Sequence, residues 1–304
     1  MKIAVYSPNV NWVLDEIAKD YTKNTKHKIV SNFQDADIIW CLDVFGFDKF
    51  KNYSCTKIIT VHHINEDDIG AYNFGIINKA DFCIVPNDIT MATAKKYLSI
   101  PIYKLPYWLL SKNIQDKINT TIIKSELCPN SEVLIGSFVK DGNGQKGDVP
   151  KTVKNPDMFL DVLYKISNST KIKVLLGGYA RNYVIKNLKL KNIPYVYYER
   201  YYNANLLYDC LDWYFVTSKY EGGPQAILEA SYRKVKVLST NVGMAPEVLH
   251  NDCVCQNSSD FVDRFKNNID RIDYNYDVVK NRFMMDKILP EYDAFFNNCV
   301  GCEL

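Results

Sequence analysis

Short apolar segments alternate with segments of helical periodicity along most of the chain. The apolar segments are rich in Ile, Val and aromatic residues, which is typical of β-strands. This alternation predicts βαβ units, in which crossover helices connect parallel strands. The predicted strands cover residues 2–6, 27–30, 37–42, 57–62, 82–86, 102–106, 132–139, 171–178, 194–198, 213–217 and 235–240. The predicted helices include 11–23, 67–79 and 88–98, with terminal helices after residue 260.

A polar segment without periodicity, residues 111–131, interrupts this alternation. It ends just before the strands resume and is therefore the predicted domain boundary. A length of 304 residues suits two domains. We predict two Rossmann-like, doubly wound α/β domains, residues 1–112 and 113–285, and a C-terminal helix, residues 286–304, that packs back on the first domain.

Composition and charge argue against several classes of protein. The 37 basic and 35 acidic residues are interspersed, which does not indicate nucleic-acid binding. The apolar stretch at the N-terminus is too short for a signal peptide or a membrane span, so we expect a cytoplasmic protein and leave peripheral membrane contact open. The nine cysteines are scattered, and free buried thiols are favoured over a zinc site at Cys299 and Cys302.

The segment SKYEGGPQAILEA, residues 218–230, follows a predicted strand and leads into a helix. In open α/β sheets, ligands bind beyond the carboxyl ends of the strands. Pro224 suits the first helical position and Gly223 the N-cap, which would leave the N–H groups of Gln225 and Ala226 pointing out of the helix end. This arrangement predicts a phosphate site, and glycines let a ligand approach the backbone closely.

Two glutamates flank this predicted phosphate site, Glu221 in the loop and Glu229 on the second turn of the helix. A carboxylate beside an anion is costly unless it accepts hydrogen bonds from neutral hydroxyls, and sugars carry such hydroxyls in adjacent pairs. The alternatives are an acid favoured by the helix dipole for Glu221 and a solvated surface residue for Glu229. The residues alone leave both interpretations open.

Residues 218–229 and the following VKVLSTNVGMAPEVL resemble the E-x7-E signature region of retaining GT-B glycosyltransferases, the glycosyltransferase family 4 or group 1 enzymes. Weaker similarity covers about residues 55–250. It includes a strand that ends in histidine (59–65), a strand with a basic loop and helix (134–163) and a further strand (174–178). The resemblance implies a GT-B fold with two Rossmann-like domains that face a cleft, the first on the acceptor side and the second binding the nucleotide-sugar donor.

The resemblance also implies roles for individual residues. Glu221 would contact hydroxyls of the transferred sugar, Glu229 the nucleotide ribose, and Lys154 the pyrophosphate, with Lys146 as a competing candidate. The candidate catalytic residues are Glu221, His62 and Lys154. The candidate donor-binding residues are Gly222, Gly223, Pro224, Gln225, Ala226, Glu229, Arg181, Lys146 and Tyr198. The candidate acceptor-side residues are Asn9, Asn11, Trp12 and His63.

The chain departs from the family pattern in two places. The interdomain strand reads Gly136-Ser137-Phe138 where the family commonly has an arginine after the glycine, and Arg181 is therefore the candidate for a second phosphate-binding cation. The glycine-rich N-terminal loop of the family is also absent, which is why Asn9, Asn11 and Trp12 are assigned to the acceptor side. The acidic residues at 66–68 are interpreted as the capped start of a helix rather than a metal site.

The function implied by the resemblance is EC 2.4-type glycosyl transfer from a nucleotide-diphosphate sugar to a hydroxyl of a glycan or other acceptor. Transfer would retain anomeric configuration and require no metal and no cofactor, with UDP or GDP as the expected nucleotide. The expected partners are the nucleotide sugar and a glycan or glycoconjugate acceptor, and the sequence does not define an oligomeric state. The alternatives are a GT-B nucleotide-sugar epimerase and a non-catalytic, sugar-binding relic of the fold.

Overall fold

The computed structural model describes residues 1–10, 13–144, 146–200 and 204–301. The chain divides into two compact units, which we call unit 1 (residues 1–111 and 281–304) and unit 2 (residues 112–280). Within the described residues, each unit contains a six-stranded sheet.

The strands are named in chain order. In unit 1 they are β1 (Lys2–Tyr6), β2 (Lys28–Ile29), β3 (Ile38–Cys41), β4 (Thr56–Thr60), β5 (Phe82–Val85) and β6 (Ile102–Lys104). In unit 2 they are β7 (Val133–Ser137), β8 (Gly142–Asn143), β9 (Val149–Pro150), β10 (Ile172–Gly177), β11 (Tyr195–Tyr198), β12 (Trp213–Val216), β13 (Lys236–Thr240) and β14 (Val254–Cys255).

The α-helices occupy most of the longer connections. They are α1 (Val13–Asn24), α2 (Phe74–Ile77), α3 (Asp88–Tyr97), α4 (Thr121–Leu127), α5 (Pro156–Ser167), α6 (Asn182–Leu190), α7 (Ala204–Cys210), α8 (Gln225–Tyr232), α9 (Ala245–Val248), α10 (Ser258–Lys266), α11 (Ile272–Arg282) and α12 (Met285–Gly301). None of the helices in the described ranges is both long and apolar enough to cross a bilayer.

The unit 1 sheet has the strand order β2-β1-β3-β4-β5-β6, and its neighbouring strands are parallel. The predicted strands of this half all lie within it. The predicted helix 67–79 is wrong in its continuity, because a 3₁₀ helix (Glu66–Ala71) and the short α2 replace it. The side chain of Asn65 accepts from Asp67 N and that of Asn73 from Ile76 N, so two capping asparagines begin two separate helices.

Aromatic side chains of α1, β3 and α12 form part of the unit 1 core. Trp40 of β3 is fully buried and its ring centroid lies 5.0 Å from that of Tyr21 and 5.4 Å from those of Tyr292 and Phe296. The indole N–H of Trp40 donates to Thr60 Oγ1 at 2.8 Å. Helix α12 therefore packs on the unit 1 sheet, and the indole N–H of Trp40 is hydrogen-bonded inside this apolar cluster.

The unit 2 sheet has the strand order β11-β10-β7-β12-β13-β14, and its neighbouring strands are parallel. In order of appearance this is 3-2-1-4-5-6, the order of dinucleotide-binding sheets. The five strands predicted for this half are present. The sequence did not predict β14 or the β8–β9 hairpin, because a two-residue strand is too short to show a period.

Helix α5 shows how the sequence places one part of the site. Pro156 occupies its first turn, and Asn155 adopts a left-handed conformation (φ 49°) immediately before it. The helix then buries Phe159, Val162 and Ile166, which lie on one helical face. The left-handed residue Asn155 and the buried face of α5 therefore set the position of Lys154, which immediately precedes them in the chain.

The two sheets together confirm the prediction of two doubly wound α/β domains of Rossmann type.

Candidate active site

The carboxyl ends of β7 and β12 lie at the switch point of the unit 2 sheet, where the strand order reverses. The loops after these strands flank the crevice in which open α/β sheets bind ligands. Backbone hydrogen bonds join the two loops, since Val153 O accepts from Lys219 N at 2.9 Å and from Tyr220 N at 3.3 Å. These bonds place Lys154 beside Glu221.

Glu221 and Lys154 form an ion pair at this switch point. Glu221 Oε1 also accepts a hydrogen bond from Ser218 Oγ at 2.9 Å, and Ser218 O accepts one from Thr240 Oγ1 at 2.6 Å. The side chains of Lys154 and Glu221 are 19% and 12% exposed, which leaves the pair less screened by water than a surface pair. The structure therefore brings together two candidate catalytic residues that are 67 positions apart.

Two further lysines add positive charge near this pair. Burial lowers the pKa of Lys151 from its ordinary value, and the charges of Lys154 and Lys140 lower it further. Lys140 Nζ lies 4.9 Å from the centroid of the Tyr179 ring. An anion would relieve the repulsion among these three cations, so the arrangement favours anion binding. Lys151 was not among the sequence candidates, although its spacing of three from Lys154 is that of one 3₁₀ turn.

Arg181 is corrected from a donor-binding residue to a buried structural one. Its side chain is 0% exposed, and its Nε lies 2.9 Å from Asp141 Oδ1. Its Nη1 donates to Ser137 O at 2.7 Å and to Gly177 O at 3.0 Å. A guanidinium with no exposed surface cannot present its charge to a phosphate. Arg181 instead ties the ends of β7 and β10 together.

The start of α8 differs from the prediction by one residue. Pro224 has an extended ψ of 101° and is the N-cap, so the first helical residue is Gln225 rather than Pro224, and Gly223 precedes the cap. Pro224 O accepts from Ile227 N at 2.8 Å. Gly222 and Gln225 are buried, whereas Gly223 and Ala226 are partly exposed.

Gly243 fixes the backbone position of the Glu221 loop. Its φ is +52°, and a Cβ atom at this position would lie 2.6 Å from Gly222 O and 2.8 Å from Glu221 O. Only a residue without a side chain fits both the left-handed conformation and this close approach. Gly243 was not among the sequence candidates, although it lies in the segment that resembles the family.

Gly243→Ala should therefore displace the Glu221 loop. We expect the free energy of unfolding to fall by about 2–4 kcal/mol, from the positive φ and the backbone clash together. The rate of the transfer reaction that the family resemblance implies should fall about 10- to 100-fold, because a small displacement of a reacting group is costly. Gly144→Ala is the matched control, since Gly144 has φ +79° but nothing within 4 Å of the added Cβ. Urea unfolding and initial rates measure both effects, and equal losses in the two variants would contradict the close-approach argument.

Glu229 is not the solvated surface residue of the alternative interpretation. Its Oε1 accepts a hydrogen bond from Asn113 Nδ2 and its Oε2 accepts one from Tyr208 Oη, both at 2.7 Å. Burial raises the pKa of Glu229, and the bonds from Tyr208 and Asn113 and the charge of Lys112 oppose the rise. A carboxylate held in this way can accept further hydrogen bonds from a ligand, since each oxygen has two lone pairs. The sequence gives no local sign that Asn113 and Tyr208 contact Glu229, because both lie far from it in the chain.

The other donor candidates lie on neighbouring segments of unit 2. Lys146 is exposed in the turn between β8 and β9, and its carbonyl oxygen accepts from Asn182 N at 3.4 Å, while Gly147 O accepts from Tyr183 N at 2.8 Å. The β8–β9 hairpin is thereby fastened to the start of α6. Tyr198 ends β11 and is 39% exposed.

His62 follows β4 in unit 1, and both of its ring nitrogens are engaged. Nε2 donates to Leu42 O at 2.5 Å, and Nδ1 accepts from the Tyr107 hydroxyl. Burial keeps the pKa of Tyr107 well above its usual range, which keeps this hydroxyl a donor, and lowers the pKa of His62 to about 4. In this arrangement neither ring nitrogen is open to a substrate, which does not support the catalytic role expected for His62.

The low pKa of His62 should make the protein less stable in acid. His62 takes up a proton near pH 6.5 in the unfolded state but only near pH 4 in the folded state. Its contribution to the free energy of unfolding is therefore fully present above pH 6.5 and is lost as the pH falls from 6.5 through 4. The loss should reach about 3 kcal/mol. Urea unfolding between pH 7.5 and 4.5 measures it, with His63→Gln as the neighbouring control. An unchanged pH dependence in His62→Gln would refute this assignment.

The acceptor-side candidates belong to unit 1. Asn9 is exposed after β1 and has φ 55°, and its backbone N–H donates to Asp15 Oδ1 at 2.8 Å. His63 is partly exposed beside His62. Asn11 and Trp12 lie outside the described residues. In the described part of the chain, no group of three or more His, Cys, Asp or Glu side chains could hold a metal ion.

The segment that carries the Lys154–Glu221 pair and Glu229 also matches a known family. Residues 146–272 match the family model of group 1 glycosyl transferases. The chain carries a group 1 glycosyltransferase domain. This match confirms the prediction of a group 1 glycosyltransferase and of the enzyme class. No curated protein sequence matches the chain.

Solved structures resemble this glycosyltransferase over nearly its whole length. A glycosyltransferase from Rickettsia africae is 14% identical with a TM-score of 0.72, and the match covers 99% of this chain and 98% of that one. HepE of Anabaena, solved in complex with UDP and glucose, is 11% identical with a TM-score of 0.76 and coverages of 98% and 100%. Sucrose-phosphate synthase of Thermosynechococcus elongatus is 13% identical with a TM-score of 0.70 and coverages of 86% and 73%. These similarities show the GT-B fold.

Proposed function

We propose that this glycosyltransferase moves a sugar from a UDP- or GDP-sugar to a hydroxyl of a glycan or other acceptor, with retention of configuration and without a metal ion. The observation that carries the proposal is the Lys154–Glu221 pair at the switch point of a sheet with dinucleotide-binding strand order. At this point a lysine that can bind phosphate lies next to a carboxylate that can bind sugar hydroxyls. A nucleotide-diphosphate sugar carries both kinds of group.

The lysines would stabilise the leaving group. Negative charge builds on the nucleoside diphosphate as the glycosidic bond breaks, and fixed cations lower the energy of that charge without reorganising during the reaction. Lys154 and Lys140 both act electrostatically on Lys151, and these three side chains would supply the positive charge. This supports the proposed metal independence and replaces the role that Arg181 was expected to play.

The two glutamates would bind the neutral parts of the donor. Glu221 would accept hydrogen bonds from the transferred sugar and orient it, while Glu229 would accept them from the ribose. HepE, which has the same fold, binds UDP and glucose. This supports a uridine sugar nucleotide over a guanosine one as the donor, and we propose that no additional cofactor takes part.

Retention follows if the acceptor attacks from the side that the leaving group vacates. The anomeric C–O bond to phosphate breaks, the new C–O bond forms on the same face, and a phosphate oxygen takes the acceptor proton. The protein then needs to stabilise the diphosphate and the cationic sugar but needs no separate base. We propose that Glu221 stabilises the cationic sugar, because a carboxylate attracts positive charge.

The test is incubation of the purified protein with radiolabelled UDP-, GDP- and ADP-sugars and a panel of simple alkyl and aryl glycosides as acceptors. The proposal predicts release of UDP or GDP, a new glycoside with the donor's anomeric configuration by NMR, and unchanged rates in EDTA. Recovery of an altered nucleotide sugar without free nucleotide would instead indicate an epimerase. Failure to bind UDP, GDP or ADP in calorimetry would indicate a non-catalytic relic.

A further inference from the structure

The linker that opens unit 2, residues 112–120, contributes a side chain to the Glu229 site. Asn113 is 5% exposed and donates to Glu229 Oε1, while Tyr208, 1% exposed, donates to Oε2. The two donors approach different oxygens of one carboxylate. Each oxygen keeps a second lone pair, and the pair of remaining acceptors suits two adjacent hydroxyls.

Asn113 ends a short 3₁₀ helix (Ser111–Asn113), and a buried ion pair fixes the backbone that follows it. Arg233 and Asp209 are paired, with Arg233 Nε donating to Asp209 Oδ1 at 2.8 Å. The Arg233 guanidinium also donates to the carbonyl oxygens of Gln115 at 2.5 Å and Asp116 at 3.1 Å. Arg233 therefore clamps the linker two and three residues after Asn113.

Asp209 holds the same linker near its C-terminal end. Its Oδ2 accepts from Ile118 N at 2.9 Å, and its carbonyl oxygen accepts from Thr120 Oγ1 at 2.8 Å. Burying an arginine and an aspartate costs desolvation that the pair itself only about repays. The Arg233–Asp209 pair is therefore better explained by the linker conformation that it fixes than by the stability that it adds.

We propose that Asn113, held by the Arg233–Asp209 pair, is a positioning residue that keeps the Glu229 carboxylate aimed and ionised for the ribose hydroxyls of the donor nucleotide. The inference rests on the proposed role of Glu229 and extends it to a linker residue. It predicts that the protein's preference for a ribose with both hydroxyls depends on the Asn113 amide.

The electrostatics of the site point in the same direction. Burial favours the protonated form of Glu229, and the groups that oppose it are Tyr208 on α7 and Lys112 and Asn113 on the linker. If the Asn113 donor is removed, the pKa of Glu229 should rise further. A protonated carboxyl has lost part of its acceptor capacity, so ribonucleotide binding in the variant should need a higher pH than in the wild type.

The test compares UDP and GDP with their 2′,3′-dideoxy counterparts by calorimetry, in the wild type, in Asn113→Leu and in Asp116→Ala. Asp116 is the matched control, since its side chain is exposed and its carbonyl contact with Arg233 survives the change. We expect Asn113→Leu to weaken ribonucleotide binding about 10-fold, as for a hydrogen bond to a charged group, while dideoxynucleotide binding changes less than about 2-fold. The pH midpoint of ribonucleotide binding should move upward in Asn113→Leu and not in Asp116→Ala.

An unchanged ribose preference in Asn113→Leu would overturn the inference while leaving the donor site intact. A wild type that binds both nucleotide forms equally would overturn it as well, because Glu229 would then not read the ribose. A wild type that binds no nucleoside diphosphate would refute the proposed function itself, and the inference with it. If Asn113→Leu does not fold, Asn113→Asp gives the same test, because it keeps the shape and replaces the donor with a like charge.

Discussion

Glu221→Gln is expected to lower kcat/KM for sugar transfer about 100- to 1,000-fold while leaving the affinity for the free nucleoside diphosphate unchanged or higher. Glutamine keeps the shape of the side chain but loses the negative charge that we propose orients and stabilises the reacting sugar. Lys154 loses its ion-pair partner at the same time. Its charge is then available to the diphosphate alone, because the competing carboxylate is gone.

Calorimetry with UDP and GDP and initial-rate kinetics with the active donor separate these two effects. Glu126→Gln, an exposed glutamate on α4, is the matched control and should change neither quantity. Ser218→Ala removes a hydroxyl that donates to the same Glu221 oxygen and should lower the rate by less than about 10-fold. If nucleotide affinity and rate fell together in Glu221→Gln, the carboxylate would be supporting the nucleotide rather than the sugar.

The sequence predicts the sheets of this protein well, because buried parallel strands leave a local signal. Segments such as Ile38–Cys41 and Phe82–Val85 are entirely buried and apolar. The position of Glu221 after one such strand was enough to place it at the ligand-binding edge of a sheet. The ion pair between Glu221 and Lys154 could be expected only from the family resemblance, since the local sequence around either residue does not specify a partner 67 positions away.

Arg181 shows why the cation at the phosphate site was predicted wrongly. Its local sequence, a loop after a glycine-ended strand, is the same whether the guanidinium points to a ligand or into the protein. What decides the outcome is Asp141, forty residues earlier, together with the carbonyl oxygens at the ends of β7 and β10. Burial of a charge depends on such distant partners, and no periodicity encodes them.

Glu229 shows a second limit of sequence reasoning. Its place on α8 is compatible with a solvated surface, but its carboxylate accepts hydrogen bonds from Asn113 in the linker and Tyr208 on α7. The same linker had appeared in the sequence only as a polar segment without a period. Polar residues in such a segment can carry specific contacts: Asn113 ends a short 3₁₀ helix (Ser111–Asn113), and side chains such as Arg233 fix the backbone that follows it.

Lys154→Met should produce the second large effect, and it should act on the nucleotide as well as on the rate. Loss of the cation should weaken UDP or GDP binding about 10- to 100-fold, the usual range for hydrogen bonds to charged groups, and leave binding of the phosphate-free nucleoside unchanged. The value of kcat/KM should fall further than the affinity, because charge on the leaving group is greater in the transition state than in the bound donor. Lys266→Met, which changes an exposed lysine at the end of α10, is the matched control and should change neither quantity.

The ion pair adds a test of folding that is independent of catalysis. Lys154→Met leaves Glu221, which is only 12% exposed, without its cation, and the free energy of unfolding should fall by about 2 kcal/mol. Adding Glu221→Gln to this variant removes the uncompensated charge and should restore most of the stability, yet activity should stay at or below that of either single variant. Urea unfolding and kinetics on the four proteins form a double-mutant cycle. Recovery of activity together with stability would mean that the pair serves the fold and that the reaction uses other groups, with Lys151 the first to be examined.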